Sequence, residues 1–383
     1  MEKHILIHYS EIGLKGRNRG FFEQKLVDNI KTALRDFNIK VKLTFDRIVV
    51  SGNWDNDEDI KKCLFLVSGI AFYAFVNIID WDLEKIEEEV LKLIKEKKFN
   101  FFAIRAKRSS KNYPLTSMEI NRQVGAHILD NLKDKKVDLD NPDLACYIEI
   151  ANNKAMIYLD KISGLGGLPV GTAGRLVSLI SGGFDSPVAS FQMMRRGAEI
   201  IFVHFHSYPN TPKASIEKVE ELVKILGNYQ NNSKLYLVPF LNIQKEIFAQ
   251  APEKLRVILY RRFMVRIAQE IAKKENCLGL VTGDNLGQVA SQTLENMRVV
   301  EDVSNLPIYR PLIAFDKNDI IKLSKNIGTH DLSAEPFDDC CSLFEPKNPE
   351  TRAKIEEVEK VEKKLDVEKL VEGAIEKLEI KQF

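Results

Sequence analysis

Ser181-Gly182-Gly183-Phe184-Asp185-Ser186-Pro187 stands between two apolar segments. The run before it, Leu176-Val177-Ser178-Leu179-Ile180, reads as a buried strand. The periodic residues after it, Val188 to Met194, read as a helix with Pro187 in its first turn. A strand, a glycine turn and a helix form the setting in which α/β proteins bind phosphate. Glycines let backbone N–H groups approach an anion without a Cβ in the way. The helix start adds unpaired donors and the positive end of the dipole. Ser186 or Asp185 is expected to cap that helix. No GxxxxGK[ST] sequence occurs, so the loop is not a Walker A loop. An ordinary corner could use the same small residues, but ligand sites of α/β sheets lie at such strand ends.

Around this loop the strand signals recur. Leu176–Ile180, Ile200–Phe205, Lys234–Pro239 and Leu278–Thr282 are separated by helical stretches, which predicts an α/β domain with a doubly wound parallel sheet. The second strand ends Val203-His204-Phe205-His206, which suits a nucleoside pocket. His204 and His206 share a face, but no third metal ligand is suggested nearby. Arg261 and Arg262 lie on a helix over about 257–273, and one of them is expected to reach a phosphate. Thr282-Gly283-Asp284-Asn285-Leu286-Gly287-Gln288-Val289-Ala290-Ser291-Gln292-Thr293 is a second glycine-bearing turn, expected beside the first. The tail from Arg352 to Leu378 has helical spacing and reads as one or two covering helices.

Upstream, Ser163 to Gly174 is a Gly-dense connector and marks the main boundary. Before it, strands at His4–Tyr9, Val41–Phe45, Ile48–Val50 and Phe72–Ile78 alternate with helices at Phe21–Leu34 and Ile60–Val67. That βαββαβ order is ferredoxin-like. A second module follows: helix Leu83–Lys97, strand Phe101–Ala106, helix Ser117–Leu132 with Ser117 as its cap, and strands Cys146–Ile150 and Ala155–Tyr158 around an Asn152-Asn153 turn.

With 383 residues the chain is long enough for two or three domains. Its formal net charge is +1, so no global field calls for nucleic acid, and any RNA contact must come from local clusters. Two such clusters occur, Lys15, Arg17 and Arg19, then Arg105, Lys107, Arg108 and Lys111, both without adjacent acids and suited to phosphates. The five cysteines have no framework spacing and no CxxC, which fits a reducing compartment. No 18-residue apolar run and no signal peptide is present, so a cytoplasmic protein is expected. Cys63, Cys146 and Cys277 sit in apolar runs. Cys340-Cys341 lies instead among acidic and aromatic residues, where a reactive thiol is plausible chemistry.

These pieces, in this order, resemble the tRNA 4-thiouridine synthetase (tRNA sulfurtransferase) family. The carriers are Tyr9 to Gly16, Tyr113 to Asn121, Gly166 to Gly171, Ser181 to Ser190, Thr282 to Thr293 and Asp338 to Cys341. The resemblance implies a ferredoxin-like domain over 1–60 with its last strand running to about 78, a THUMP RNA-binding domain over 61–165, a linker at 166–174, and a pyrophosphate-loop domain over 175–383. It implies sulfur transfer to uridine 8 of tRNA through an adenylated base. ATP contacts are expected at Leu179, Ile180, Ser181, Gly182, Gly183, Ser186, His204, Phe205, Arg261, Gly283 and Gln292. Asp185 and Lys317 match positions important for adenylation, and Cys341 matches the sulfur-handling cysteine. ATP and Mg²⁺ are the implied cofactors. tRNA, a cysteine desulfurase, a sulfur carrier protein and a second copy of the chain are the implied partners. Many relatives carry a rhodanese domain. This chain reads to Phe383 without one, which leaves the thiamine-linked role and the second thiol open. Another adenylating enzyme of the same fold, or an RNA-binding protein with a relic nucleotide site, would share several of these features.

Overall fold

The computed structural model describes residues 2–44, 47–109, 112–336, 340, 344 and 346–383. It divides into two compact units, Met1–Pro169 and Val170–Phe383.

The first unit opens with β1 (Lys3–His8), α1 (Arg19–Ala33), β2 (Asn38–Thr44), β3 (Arg47–Asn53), α2 (Asp57–Phe65) and β4 (Phe72–Asp80), the βαββαβ order expected. It continues with α3 (Leu83–Lys95), β5 (Phe101–Arg108), α4 (Ser117–Asn131), β6 (Lys136–Val137), β7 (Leu144–Ala151), β8 (Lys154–Tyr158) and β9 (Ile162–Ser163). All nine strands share one sheet, ordered β2-β3-β1-β4-β8-β7-β5-β6, with β9 also on β4. β4 joins the halves: His4 to His8 of β1 pair with its first part, and Lys154 to Ile157 of β8 pair with its last. The β7–β8 turn places Asn152 and Asn153 at φ 51° and 58°, the left-handed pair of a tight hairpin that asparagine tolerates. The cap of α4 differs from expectation. Thr116, not Ser117, is extended and accepts from Glu119 N, while the Glu119 carboxylate accepts from Thr116 N at 2.6 Å. The reciprocal Thr-x-x-Glu box needs its acid three residues on, and only Thr116 has one there.

The sheet face away from the helices is not open. Leu6, Ala74, Val76, Met156 and Tyr158 are buried together on it. At its centre Glu149 of β7 accepts from the Tyr158 hydroxyl at 2.8 Å and pairs with His8 Nε2 at 2.9 Å and Arg47 Nη2 at 2.7 Å. β3 and β7 are four strand spacings apart in the sheet order, roughly 19 Å if flat. The sheet therefore curls until its two halves meet on this carboxylate.

Burial alone would raise the Glu149 pKa, but the His8 and Tyr158 hydrogen bonds and the Arg47 charge reverse this and hold it at about 2. A folded pKa below the unfolded one stabilises the protein above the unfolded value, and that stability is lost as pH falls toward 2. The expected size is about 3 kcal/mol. Glu149→Gln should lose about that much in urea unfolding at pH 7, because Arg47 stays buried without a counter-charge. It should also flatten the acid loss between pH 5 and pH 2. Parent-like stability at pH 7 would show that the cluster does not hold the halves together.

The second unit runs β10 (Arg175–Leu179), α5 (Asp185–Arg195), β11 (Glu199–His206), α6 (Ala214–Gly227), β12 (Lys234–Pro239), α7 (Leu241–Gln250), α8 (Arg256–Lys274), β13 (Leu280–Val281), α9 (Leu294–Glu301), β14 (Ile308–Tyr309), α10 (Lys317–Asn326), α11 (His330–Ala334), α12 (Ile355–Glu362), α13 (Val367–Ile375) and β15 (Glu379–Gln382). The sheet order is β14-β13-β10-β11-β12-β15. Five strands are parallel, as expected. The last is not: β15 pairs antiparallel with β12, and sequence reading missed it. Its four residues have no strand periodicity of their own, and the unpaired edge of β12 supplies the partner. The expected strand Leu278–Thr282 is only two residues long. The chain adds β11 and β12 on one side of β10, then returns to add β13 and β14 on the other. The crevice between β10 and β13 is thus the topological switch point, where such sheets bind ligands.

Candidate functional site

Two loops meet at that crevice. After β10 the chain passes through Ser181 to Phe184 and enters α5 directly at Asp185. Ser186 does not cap the helix, and neither does Asp185. Among the described residues no side chain caps α5. Ser186 Oγ turns back and accepts from Ser181 N at 2.8 Å, and Ser190 Oγ donates to Ser186 O at 2.8 Å and lies 2.8 Å from Ser178 Oγ. This chain of serines ties strand to helix. No side chain caps the helix start, so its first N–H groups and dipole are left for an anion.

The second loop follows β13. A Cβ on Gly283 would lie 2.7 Å from Ser186 N, so the two loops touch through backbone and only glycine fits. Between them lies a cavity of about 430 Å³, lined by Leu179, Ser181, Asp185, Ser186, Arg261, Gly283 and Gln292 among others. Seven of the residues expected from sequence are thereby brought together. Asp185 Oδ1 accepts from Lys317 Nζ at 2.7 Å, at the start of α10, and its Oδ2 accepts from Gln288 Nε2 at 2.9 Å. Ser333 Oγ donates to Gly183 O at 3.3 Å. Ile180, Gly182 and Gly183 belong to the first loop but do not line this cavity. His204 is buried, with Nδ1 3.0 Å from Ile180 O, and Phe205 packs in the core 5.4 Å from the Phe240 ring. Neither lines the cavity.

The pair Arg261-Arg262 divides its work. Arg262 is 2% exposed and makes a two-pronged ion pair with Glu362 of α12, so it is structural. Arg261 faces the cavity, pairs with Asp284 and donates to Ser291 O at 3.1 Å. Asp284 and Arg310 were not singled out from sequence. Asp284 also accepts from Thr282 Oγ1 at 2.8 Å and Arg310 Nε at 3.4 Å. Burial alone would raise its pKa, but the Arg261 charge, the Thr282 hydrogen bond and the Arg310 charge outweigh it and hold the carboxyl below the usual range. Cys341 and Lys111 lie outside the described residues.

The Thiamine biosynthesis protein (ThiI) family matches residues 171–367, the THUMP domain 81–160 and the ThiI ferredoxin-like domain 4–74. A probable tRNA sulfurtransferase of Caldanaerobacter subterraneus subsp. tengcongensis is 44% identical over 97% of this chain and 98% of its own length. One from Alkaliphilus oremlandii is 43% identical over 100% and 99%. The chain belongs to the ThiI family of tRNA sulfurtransferases. Among solved structures, a 4-thiouridine synthetase–RNA complex with bound ATP superposes with a TM-score of 0.90 at 36% identity, covering 100% of both chains. PH1313 from Pyrococcus horikoshii gives 0.66 at 30% identity, covering 85% of this chain and 99% of that one. The ferredoxin-like, THUMP and pyrophosphate-loop architecture expected from sequence is therefore that of the family.

In this tRNA sulfurtransferase family member the basic clusters are less uniform than their sequences suggest. Arg19 is not free of acids: it pairs with Glu23 at 2.6 Å and donates to the Tyr9 hydroxyl at 2.8 Å. Lys15 Nζ lies 4.9 Å from the Phe22 ring, and Arg17 is exposed. Arg105 and Lys107 are exposed on β5, with Arg105 donating to Leu139 O at 3.0 Å, while Arg108 is tied to Tyr113 O at 2.8 Å. Lys161, missed in the sequence, lies 3.8 Å from the Tyr147 ring centre. Burial and the charges of Arg105 and Lys107 push its ammonium pKa down, against Glu149. That places three cations and an aromatic on one face.

Proposed function

We propose that this enzyme transfers persulfide sulfur to uridine 8 of tRNA at the expense of ATP, forming 4-thiouridine. The observation that carries this reading is the contact between the Ser181–Ser186 and Thr282–Gln292 loops at the switch point, in a chain that matches a 4-thiouridine synthetase along its whole length. ATP supplies an adenylyl group, which converts O4 of uridine into a leaving group, and pyrophosphate departs. The N–H groups at the start of α5 hold the phosphates, Arg261 and Lys317 offset their charge, and Asp185 keeps Lys317 in place. The terminal sulfur of a persulfide on Cys341 bonds to C4 and AMP leaves with O4. A second thiol then forms a disulfide with Cys341 Sγ and frees the thiolated base.

Asp185 is the kind of oxygen donor that Mg²⁺ takes, one carboxylate shared with substrate phosphates. A metal there would share a carboxylate already bonded to Lys317 and Gln288. The persulfide donor is proposed to be a cysteine desulfurase, the working form a homodimer and the location cytoplasmic. No helix among the described residues is long and apolar enough to cross a membrane, which supports the last of these. The second role, sulfur delivery to a carrier protein for thiamine, is proposed from the family description.

With tRNA present, ATP should yield AMP and pyrophosphate in equal amounts, and without tRNA it should yield little of either. Release of ADP and phosphate would contradict adenylation.

Arg105, Lys107 and Lys161 are proposed to contact tRNA phosphates. Replacing all three by alanine should weaken tRNA binding, most strongly at low salt, and make the slope of log affinity against log salt shallower by about two to three units. Unchanged affinity and slope in filter binding would leave them as a solvated face.

A further inference from the structure

Asp284 is 4% exposed, yet it lines the cavity between the loops. We propose that Asp284 is a positioning residue for the nucleotide. It holds the Arg261 guanidinium in place for phosphate and turns the Gln292 amide so that Oε1 accepts from a hydroxyl or amine of the nucleoside. The inference rests on the ATP reading above and deepens it.

Asp284 follows Gly283, whose backbone lies against Ser186, so its carboxylate is fixed relative to the first loop. It stands between two guanidinium groups, Arg261 and Arg310, and Arg310 is itself tied to Glu301 at 2.6 Å. Without the carboxylate, two like charges would face each other in a partly buried site, and Arg261, the one not tied to Glu301, would move away. Gln292 Nε2 is 3.4 Å from Asp284 Oδ1. The reversed amide would set one oxygen against another, so the aspartate decides which way the amide points. The buried Oε1 of Gln292 then has no hydrogen-bond partner among the described residues. A buried acceptor without a donor is costly, and it lies in a cavity lined also by Arg261. A nucleotide supplies both complements, a phosphate for Arg261 and a hydroxyl or amino donor for Gln292.

The test is ATP affinity by equilibrium dialysis with radiolabelled ATP and Mg²⁺, together with thermal melting, on the full chain. Asp284→Asn should bind ATP about tenfold more weakly than the parent. In an Arg261→Gln background the same substitution should weaken binding by about threefold or less, because the group it positions is gone. Thr282→Val removes only the hydroxyl that steadies Asp284. It should show the same pattern at smaller size, and it carries the test if Asp284→Asn does not fold. An equal loss in both backgrounds, or tighter ATP binding by Asp284→Asn, would overturn the proposal while leaving the nucleotide site intact. Failure of the parent to bind ATP would overturn the nucleotide reading itself.

Discussion

Replacing Asp185 by alanine should abolish tRNA thiolation while tRNA affinity stays within a few-fold of the parent. The carboxylate is the meeting point of three segments: the first loop that carries it, Lys317 at the start of α10 and Gln288 of the second loop. Alanine frees the Lys317 ammonium and unlinks the loops at the place where charge develops on the departing pyrophosphate. Loss of one preorganised electrostatic partner costs about 100- to 1,000-fold in rate. Lys317→Met should cost a similar factor, and the double variant little more, because the two act as one unit. The basic residues of the first unit are untouched, so tRNA binding should survive. Normal thiolation by Asp185→Ala, measured beside a filter-binding constant, would remove this residue from the reaction.

The second large effect separates the half-reactions. Cys341→Ser should still release pyrophosphate from ATP in the presence of tRNA but insert no sulfur, since serine cannot carry a persulfide. Its neighbour is expected to behave differently. Cys340 is 5% exposed, counts among the buried core residues, and its carbonyl accepts from the fully buried Gln244 at 2.6 Å. A thiol must be reached to exchange, and burial withholds this one. The resolving thiol is therefore expected to come from outside, so the parent and Cys340→Ser should both stop after a single turnover without dithiothreitol and both turn over repeatedly with it. Thiolation by Cys341→Ser at the parent rate would contradict persulfide transfer through that residue.

What could be read in the sequence was local chemistry. The glycine pair, serines and aspartate of the first loop sit within seven consecutive residues after an apolar run, and the glycine-bearing second turn announces itself in the same way. The βαββαβ module could be read because its strands are short apolar-rich runs and its helices carry apolar residues at helical spacing. What could not be read depends on residues far apart in the chain. Arg310 meets Asp284 from the end of β14, and no spacing links the two. Glu149 looks like any polar residue of an alternating strand, and only the curl of the sheet buries it against His8 and Arg47. β15 exists because β12 leaves an edge open, not because its own four residues demand a strand. Arg19 looked unpaired because Glu23, four residues on, becomes a neighbour only once α1 forms. The cap of α4 was legible but misassigned: Thr116 and Ser117 are equally good caps by type, and Glu119 chooses between them.

This chain is expected to thiolate position 4 of a tRNA uridine. The most direct measurement is nucleoside mass spectrometry of tRNA after incubation with the enzyme, ATP, Mg²⁺, a cysteine desulfurase and cysteine. 4-Thiouridine is expected at position 8, absent when ATP is omitted and absent with Cys341→Ser. A 2-thiolated nucleoside, or thiolation that persists without ATP, would contradict it.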